Sequence, residues 1–102
     1  MKQAPGLSGG YQFEWDPRKA EFNRRKHGVS FDEAATVFAD PMSALMPDPD
    51  HSLEEARFLV LGLSGLGHLL VVSFVERGGR TRLVSARRAT RRERGQHEKG
   101  VG

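Results

Sequence analysis

The 102 residues contain no cysteine. Disulfide scaffolds, thiolate zinc sites and cysteine nucleophiles are excluded. Aromatic residues are scarce, with one Trp and one Tyr, Tyr11. No run approaches the ~18–20 apolar residues that a membrane-spanning helix requires, so no membrane partner is expected. Met1 to Gln12 hold one lysine and no apolar stretch of the kind found in a secretory leader. A cytoplasmic protein is the expectation. His51, His68 and the acids lack any metal-ligand spacing, and neither a metal nor a cofactor is expected.

What is present is charge, and it is segregated. Residues 18–27 carry Arg18, Lys19, Arg24, Arg25 and Lys26 against Glu21 alone. Residues 30–55 carry seven acids and no Lys or Arg. Residues 77–94 carry eight arginines against Glu93. The preference for arginine in that last block matters. A guanidinium binds phosphate through a planar fork and stacks on bases, which an ammonium cannot do. A polyanionic partner is one reading of the block, and a solvated face paired with the acidic segment is the other.

One domain fits the length, with 1–12 a Gly/Ser/Pro-rich tail, 13–98 the folded unit and 99–102 a short tail. Phe13–Trp15 predicts a short strand. Asp16-Pro17 starts a helix, with Asp as N-cap and Pro at the first position, and Gly28 ends it. Ser30-Phe-Asp-Glu33 is a capping box opening a second helix, whose apolar face is Phe31, Ala34, Ala35 and Phe38, and which Asp40-Pro41 stops. Ser43–Met46 suggests an edge strand. Arg57–Leu63 and His68–Val75 are strong β runs, the second apolar on both faces and therefore central. Arg77-Gly-Gly-Arg80 is a hairpin turn leading into a strand over 81–88. Thr90-x-x-Glu93 caps a C-terminal helix. The expected class is α+β: two N-terminal helices, an antiparallel sheet of three to four strands, and a C-terminal helix, with the helices on one sheet face.

Five blocks in register now stand out. They are Phe13-Glu-Trp-Asp-Pro17; Asn23-x-x-Lys-His-Gly-Val-Ser-Phe-Asp-Glu-Ala34; Val37-Phe38-x-Asp-Pro41; His51-x-x-x-Glu55-x-Arg57 with Gly62; and Arg82-Leu-Val-Ser-Ala-Arg87-x-Ala-Thr-x-x-Glu93. In this order and spacing they closely resemble the BrnT toxins of type II toxin–antitoxin systems, from Phe13 to about Arg94. The resemblance implies a RelE-like fold and a ribonuclease that cleaves mRNA and arrests translation. It also implies a small BrnA-like antitoxin with a ribbon-helix-helix part, through which alone operator DNA would be bound. One departure is visible. Family members often place a tyrosine shortly after the last-helix glutamate, where this chain reads Glu93-Arg-Gly-Gln-His97.

RNA cleavage without a metal needs a base for the 2′-hydroxyl, cations for the phosphorane and an acid for the leaving oxygen. Arg82 and Arg87 are the first choices for cations, with Arg57 on a neighbouring strand. Strict strand alternation puts Arg82 and Arg88 on one face, and Arg87 on the other with Leu83 and Ser85. The arginines cannot share one phosphate unless the strand ends or bulges near Arg87. The acid and base candidates are His51, Glu55, Glu93 and His97, the last two on one helix face. Each has a structural reading beside it: Glu93 as half of a capping box, His97 as a surface residue, Glu55 as a salt partner of Arg57, His51 as a loop residue. Arg24, Arg25, Lys26, His27, Arg80, Arg88 and Arg91 are candidates for RNA contact. Lys26 and His27 equally complement the dipole of the helix they end. Three functions compete: a metal-independent endoribonuclease toxin, a catalytically degenerate toxin homologue that binds its antitoxin as a co-repressor module, and a small RNA-binding domain. The last is disfavoured because the aromatics of the long β runs, Phe58 and Phe74, sit in apolar stretches.

Overall fold

A computed structural model describes residues 11–48 and 56–101. The elements follow in the order β1 (Phe13–Glu14), α1 (Pro17–His27), α2 (Phe31–Thr36), a 3-10 turn (Val37–Ala39), β2 (Ala44–Pro47), β3 (Arg57–Leu63), β4 (Leu69–Arg77), β5 (Arg80–Arg88) and α3 (Arg91–Val101). None of the described helices is long and apolar enough to cross a membrane.

The local signals act as their chemistry dictates. The Asp16 carboxylate accepts from the Arg18 amide at 2.8 Å, and Gly28 ends α1 with φ +71°. Gly78 and Gly79, both at positive φ, make the two-residue turn between β4 and β5, the geometry that matches strand twist. Around Ser30 the capping box is half formed. Ser30 Oγ accepts from the Glu33 amide at 3.0 Å, but the Glu33 carboxylate does not reach back. It accepts from Ser64 Oγ at 2.7 Å and meets His68 Nδ1 at 2.8 Å, pinning the β3–β4 turn to α2.

The sheet is larger than expected and mixed. Its five strands run β1-β5-β4-β3-β2, and β1 pairs with β5 in parallel, Phe13 opposite Thr81 and Glu14 opposite Arg82. The other pairings are antiparallel. Where β1 stops, a side chain continues its work. Asn23 of α1 donates to the Ala86 carbonyl at 2.9 Å and accepts from the Ala86 amide at 3.0 Å, as a neighbouring strand would. Its amide also donates to the Val29 carbonyl at 3.0 Å.

Two clusters fill the two faces. The main core lies between the sheet and the N-terminal helices, with Phe13, Val29, Phe31, Ala34, Val60, Leu70, Val72, Leu83 and Ala86 buried together. On the opposite face, Leu61, Leu69 and Val71 gather Met46, Leu59 and Ala89. The chain turns onto this second face at Ala89, and α3 follows it, packing against β3. The helices are thus not all on one sheet face. The rest of the second face, toward Arg57, is left for polar side chains.

Candidate active site

The second face is the one that Arg57, Arg82 and Arg87 share, and a single irregularity puts them there. In β4, Ser73 and Phe74 are consecutive, but in β5 their partners are Ser85 and Leu83, so Val84 is an extra residue. A bulge of this kind reverses the alternation of everything beyond it. Leu83 and Ala86, three residues apart, both enter the main core. Arg82 and Arg87 therefore both point away from it. Arg82 stands opposite Val75, Arg87 opposite Val71, and Arg57 opposite Val75 from the other side. The expected split is overturned: Arg82, Arg87 and Arg57 share one face, and Arg88 lies on the other, opposite Leu70 of the main core.

Both β5 arginines of this face, Arg82 and Arg87, have a carboxylate beside them. Glu14 accepts from Arg82 at 3.0 Å and from Arg80 at 3.5 Å. The Arg82 hydrogen bond, reinforced by Arg80, holds the Glu14 carboxyl below its ordinary value. Glu93 accepts from Arg87 through both oxygens, at 2.8 and 2.9 Å, and closes the cap by accepting from the Thr90 amide at 2.8 Å. The Arg87 fork and these amide and hydroxyl bonds lower the Glu93 pKa to about 2. Glu93 is thus an anion across the neutral range. Arg87 Nη1 also donates to the Arg88 carbonyl at 3.2 Å. Of the five N–H donors of a guanidinium, three are engaged. The remaining Nε–Nη2 edge is a second fork, open to another anion.

Two buried polar atoms lack a hydrogen-bond partner among the described residues, Arg57 Nε and Ser73 Oγ. They belong to adjacent rows of this same face, since Arg57 pairs with Val75 and Ser73 with Leu59. An unmet buried polar group costs about 1–3 kcal/mol.

The other candidates divide. His97 is 14% exposed, and its Nε2 lies 3.3 Å from Asp40 Oδ2, which also accepts from the Leu63 amide at 2.7 Å. Burial pushes the Asp40 carboxyl up, but the Leu63 and Met42 amides and His97 outweigh it and hold it below its ordinary value. Leu63 is six residues along β3 from Arg57, roughly 20 Å at ~3.3 Å per residue. His97 anchors α3 at the end of the sheet away from Arg57 and Arg82, one helical turn from Glu93, the partner of Arg87. Arg24 and Arg25 both bond Glu21 on the exposed side of α1. Lys26 and His27 line a recess with Lys19, Phe22, Asn23, Val84 and Ser85. Arg91 is exposed at the start of α3. His51 and Glu55 lie outside the described residues; they precede Arg57 by six and two positions.

Sequence reasoning missed Glu14 as the partner of Arg82, and it missed Ser73. The bulge had one signal: Leu83 and Ala86 are small-to-medium apolar residues at a spacing of three within a strand, which alternation does not allow on one face.

The Glu93 pKa makes a prediction about stability. A carboxyl whose folded pKa lies below its unfolded value stabilises the fold fully above the unfolded pKa and loses that contribution as pH falls through the folded one. For Glu93 the window runs from the ordinary 4.5 down to about 2. Glu93→Gln is expected to cost on the order of 2 kcal/mol near neutrality, allowing for the partly exposed Arg87. In urea unfolding followed against pH, the gap between the variant and the parent should close toward pH 2. A gap that stays constant through acid would show that the Arg87 pair contributes nothing through ionisation.

A family model described as "Ribonuclease toxin, BrnT, of type II toxin-antitoxin system" matches residues 15–93. The crystal structure of the Brucella abortus ribonuclease toxin BrnT superimposes with a TM-score of 0.62 at 20% identity, over 79% of this chain and 99% of that one. At that identity the likeness speaks for the fold. No curated protein matches the sequence.

Proposed function

The chain belongs to the BrnT family of ribonuclease toxins of type II toxin–antitoxin systems, and from that premise we propose that it cuts mRNA without a metal ion, on the sheet face that carries Arg57, Arg82 and Arg87. The observation that carries this reading is the Val84 bulge, which brings Arg82 and Arg87 to one face. Cleavage proceeds by attack of a ribose 2′-oxygen on the adjacent phosphorus. The 2′ proton passes to a base, the bond to the 5′-oxygen breaks, and that oxygen takes a proton from an acid. The products are a 2′,3′-cyclic phosphate and a 5′-hydroxyl.

The arginines supply the charge that the phosphorane needs. Arg82 and Arg87 sit on a strand and are held by carboxylates, so they need no reorganisation as charge develops. Glu93, ionised at neutral pH, acts by orienting Arg87 and not by moving a proton. The acid and base are assigned to His51 and Glu55, next to Arg57 in the chain. Arg24, Arg25, Lys26, His27, Arg80, Arg88 and Arg91 add long-range attraction for RNA. A BrnA-like antitoxin neutralises the toxin, and operator DNA is reached through that partner. The protein works in the cytoplasm, where mRNA is.

A second reading, a degenerate homologue acting only through its antitoxin, is favoured by one fact. His97, the nearest substitute for the family's tyrosine, is tied to Asp40. One assay decides between them. Purified protein is expected to cut a labelled RNA in excess EDTA, leaving cyclic phosphate ends, and to leave the same sequence uncut when every 2′-hydroxyl is methylated. No cleavage in EDTA, with cleavage restored by a divalent cation, would overturn metal independence. No cleavage under either condition, and no growth arrest on expression, would establish the degenerate reading.

A further inference from the structure

The arginine face accounts for the phosphate and leaves the bases without a seat. None of the described strand aromatics can provide one, because Phe13, Phe58 and Phe74 pack with the main core. A ring is available on a helix. Phe22 of α1 is 65% exposed, and Lys26 holds its ammonium 5.8 Å from the ring centroid. Lys19, Phe22 and Lys26 follow at three and four residues, so they share one helical face. Arg24 and Arg25 are turned to Glu21, whereas Lys26 has no ion-pair partner among the described residues.

We propose that Phe22 and Lys26 form a base-stacking subsite for single-stranded RNA, seating a nucleotide at the β5 edge, around the strand from the phosphate held by the arginines. The proposal rests on the ribonuclease reading above. Its geometry is that of the recess. Phe22, Lys26, Lys19 and His27 form one wall, and Val84 and Ser85 form the other, around about 260 Å³. Those two residues are the bulge itself, between Arg82 and Arg87 in β5. The recess therefore opens at the edge of the strand that carries both arginines. Asn23 fixes the spacing by bonding α1 to Ala86 through both of its backbone groups.

The chemistry of the recess suits a nucleotide. Every base has a π face, and stacking on an aromatic side chain is tolerant of sequence. The lysine ammonium is a compact charge on a flexible stem, so it can leave the ring for a phosphate when a base arrives. Cations flank the ring, and no carboxylate lines the recess. A polyanion therefore suits this face better than an acid-poor peptide would.

The test uses the full chain and a fluorescent, fully 2′-O-methylated oligonucleotide, which cannot be cut because the attacking hydroxyl is blocked. A second oligonucleotide has the same backbone with abasic residues. Phe22→Ala is expected to raise Kd for the first about tenfold, and Phe22→Trp to restore it. On the abasic backbone the parent should bind more weakly, and Phe22→Ala should cause no further loss. Equal affinity of the parent and Phe22→Ala for the intact oligonucleotide would overturn the subsite, as would an equal loss on both backbones. If Phe22→Ala keeps RNA affinity but escapes neutralisation by the co-expressed antitoxin, the face binds protein and the proposal is overturned. A parent that cuts RNA in EDTA while Phe22→Ala binds normally refutes the subsite alone. A parent that binds neither oligonucleotide refutes the ribonuclease reading with it.

Discussion

Arg82→Ala and Arg87→Ala are each expected to lower RNA cleavage a hundredfold or more and to abolish growth arrest. Loss of one preorganised donor to a developing oxyanion costs about 10²–10³ in rate, and here each residue supplies a fork. The fold should survive. Arg82 is partly exposed and bonded to Glu14, and a pair of that kind is worth about 1 kcal/mol or less. Removal of Arg87 costs more, because it leaves the Glu93 carboxylate, 19% exposed, without its guanidinium. Lysine at either position keeps the charge and loses the fork, so Arg82→Lys should fall between parent and alanine. The control is Arg88→Ala. Simple alternation pairs Arg88 with Arg82, whereas the bulge pairs Arg87 with Arg82. Arg88→Ala should therefore lose less than Arg87→Ala in kcat/KM on a labelled RNA. An Arg88→Ala loss as large as that of Arg87→Ala would sink the shared-face assignment, and so would retained cleavage in both primary variants.

That contrast shows what the sequence made legible. Signals confined to a few residues were readable: Asp16-Pro17 before a helix, the Gly78-Gly79 turn, the mutual Thr90–Glu93 cap. They act through backbone conformation and neighbouring side chains, which composition and spacing specify. Features set by partners far along the chain were not readable. Phe13 and Glu14 form a strand of two residues, and its parallel pairing with Thr81 and Arg82 depends on a contact across most of the chain. Glu33 had a local partner in the Ser30 box and took a distant one, because Ser64 and His68 meet it in a largely buried pocket where a carboxylate needs donors. The bulge lay between these cases. Its effect is local, but Val84 is apolar and hides the break in alternation. Of the candidate arginines, the structure brings Arg57, Arg82 and Arg87 to one face, where strict alternation alone would part Arg82 from Arg87. Of the site's four acid–base candidates, His51 and Glu55 fall outside the described residues, while Glu93 and His97 are bonded to Arg87 and Asp40.

Asn23→Ala is expected to be among the most damaging single changes to stability, although Asn23 carries no charge and belongs to no proposed catalytic group. The side chain is 4% exposed and makes three hydrogen bonds, two of them to the backbone of Ala86. Truncation leaves the Ala86 amide and carbonyl and the Val29 carbonyl unmet in the interior. Each such group costs about 1–3 kcal/mol, which gives roughly 3–5 kcal/mol in all once water reaches some of them. Domains of this size have only about 5–15 kcal/mol in total. Asn23→Asp should be no better. It discards both amide hydrogens and sets a carboxylate against two carbonyl oxygens. Phe22→Ala, one residue away but exposed, should change stability by less than ~0.5 kcal/mol. Urea unfolding of the three variants checks the order, and an Asn23→Ala loss below ~1 kcal/mol would mean that water replaces the side chain without penalty. The consequence reaches the site. Without Asn23, the edge of β5 beyond β1 is a bare strand edge, able to pair with another chain, and α1 loses its fixed distance from the bulge. RNA affinity should then fall along with stability, whereas in Phe22→Ala it should fall alone. The comparison separates a residue that builds the recess from one that touches what enters it.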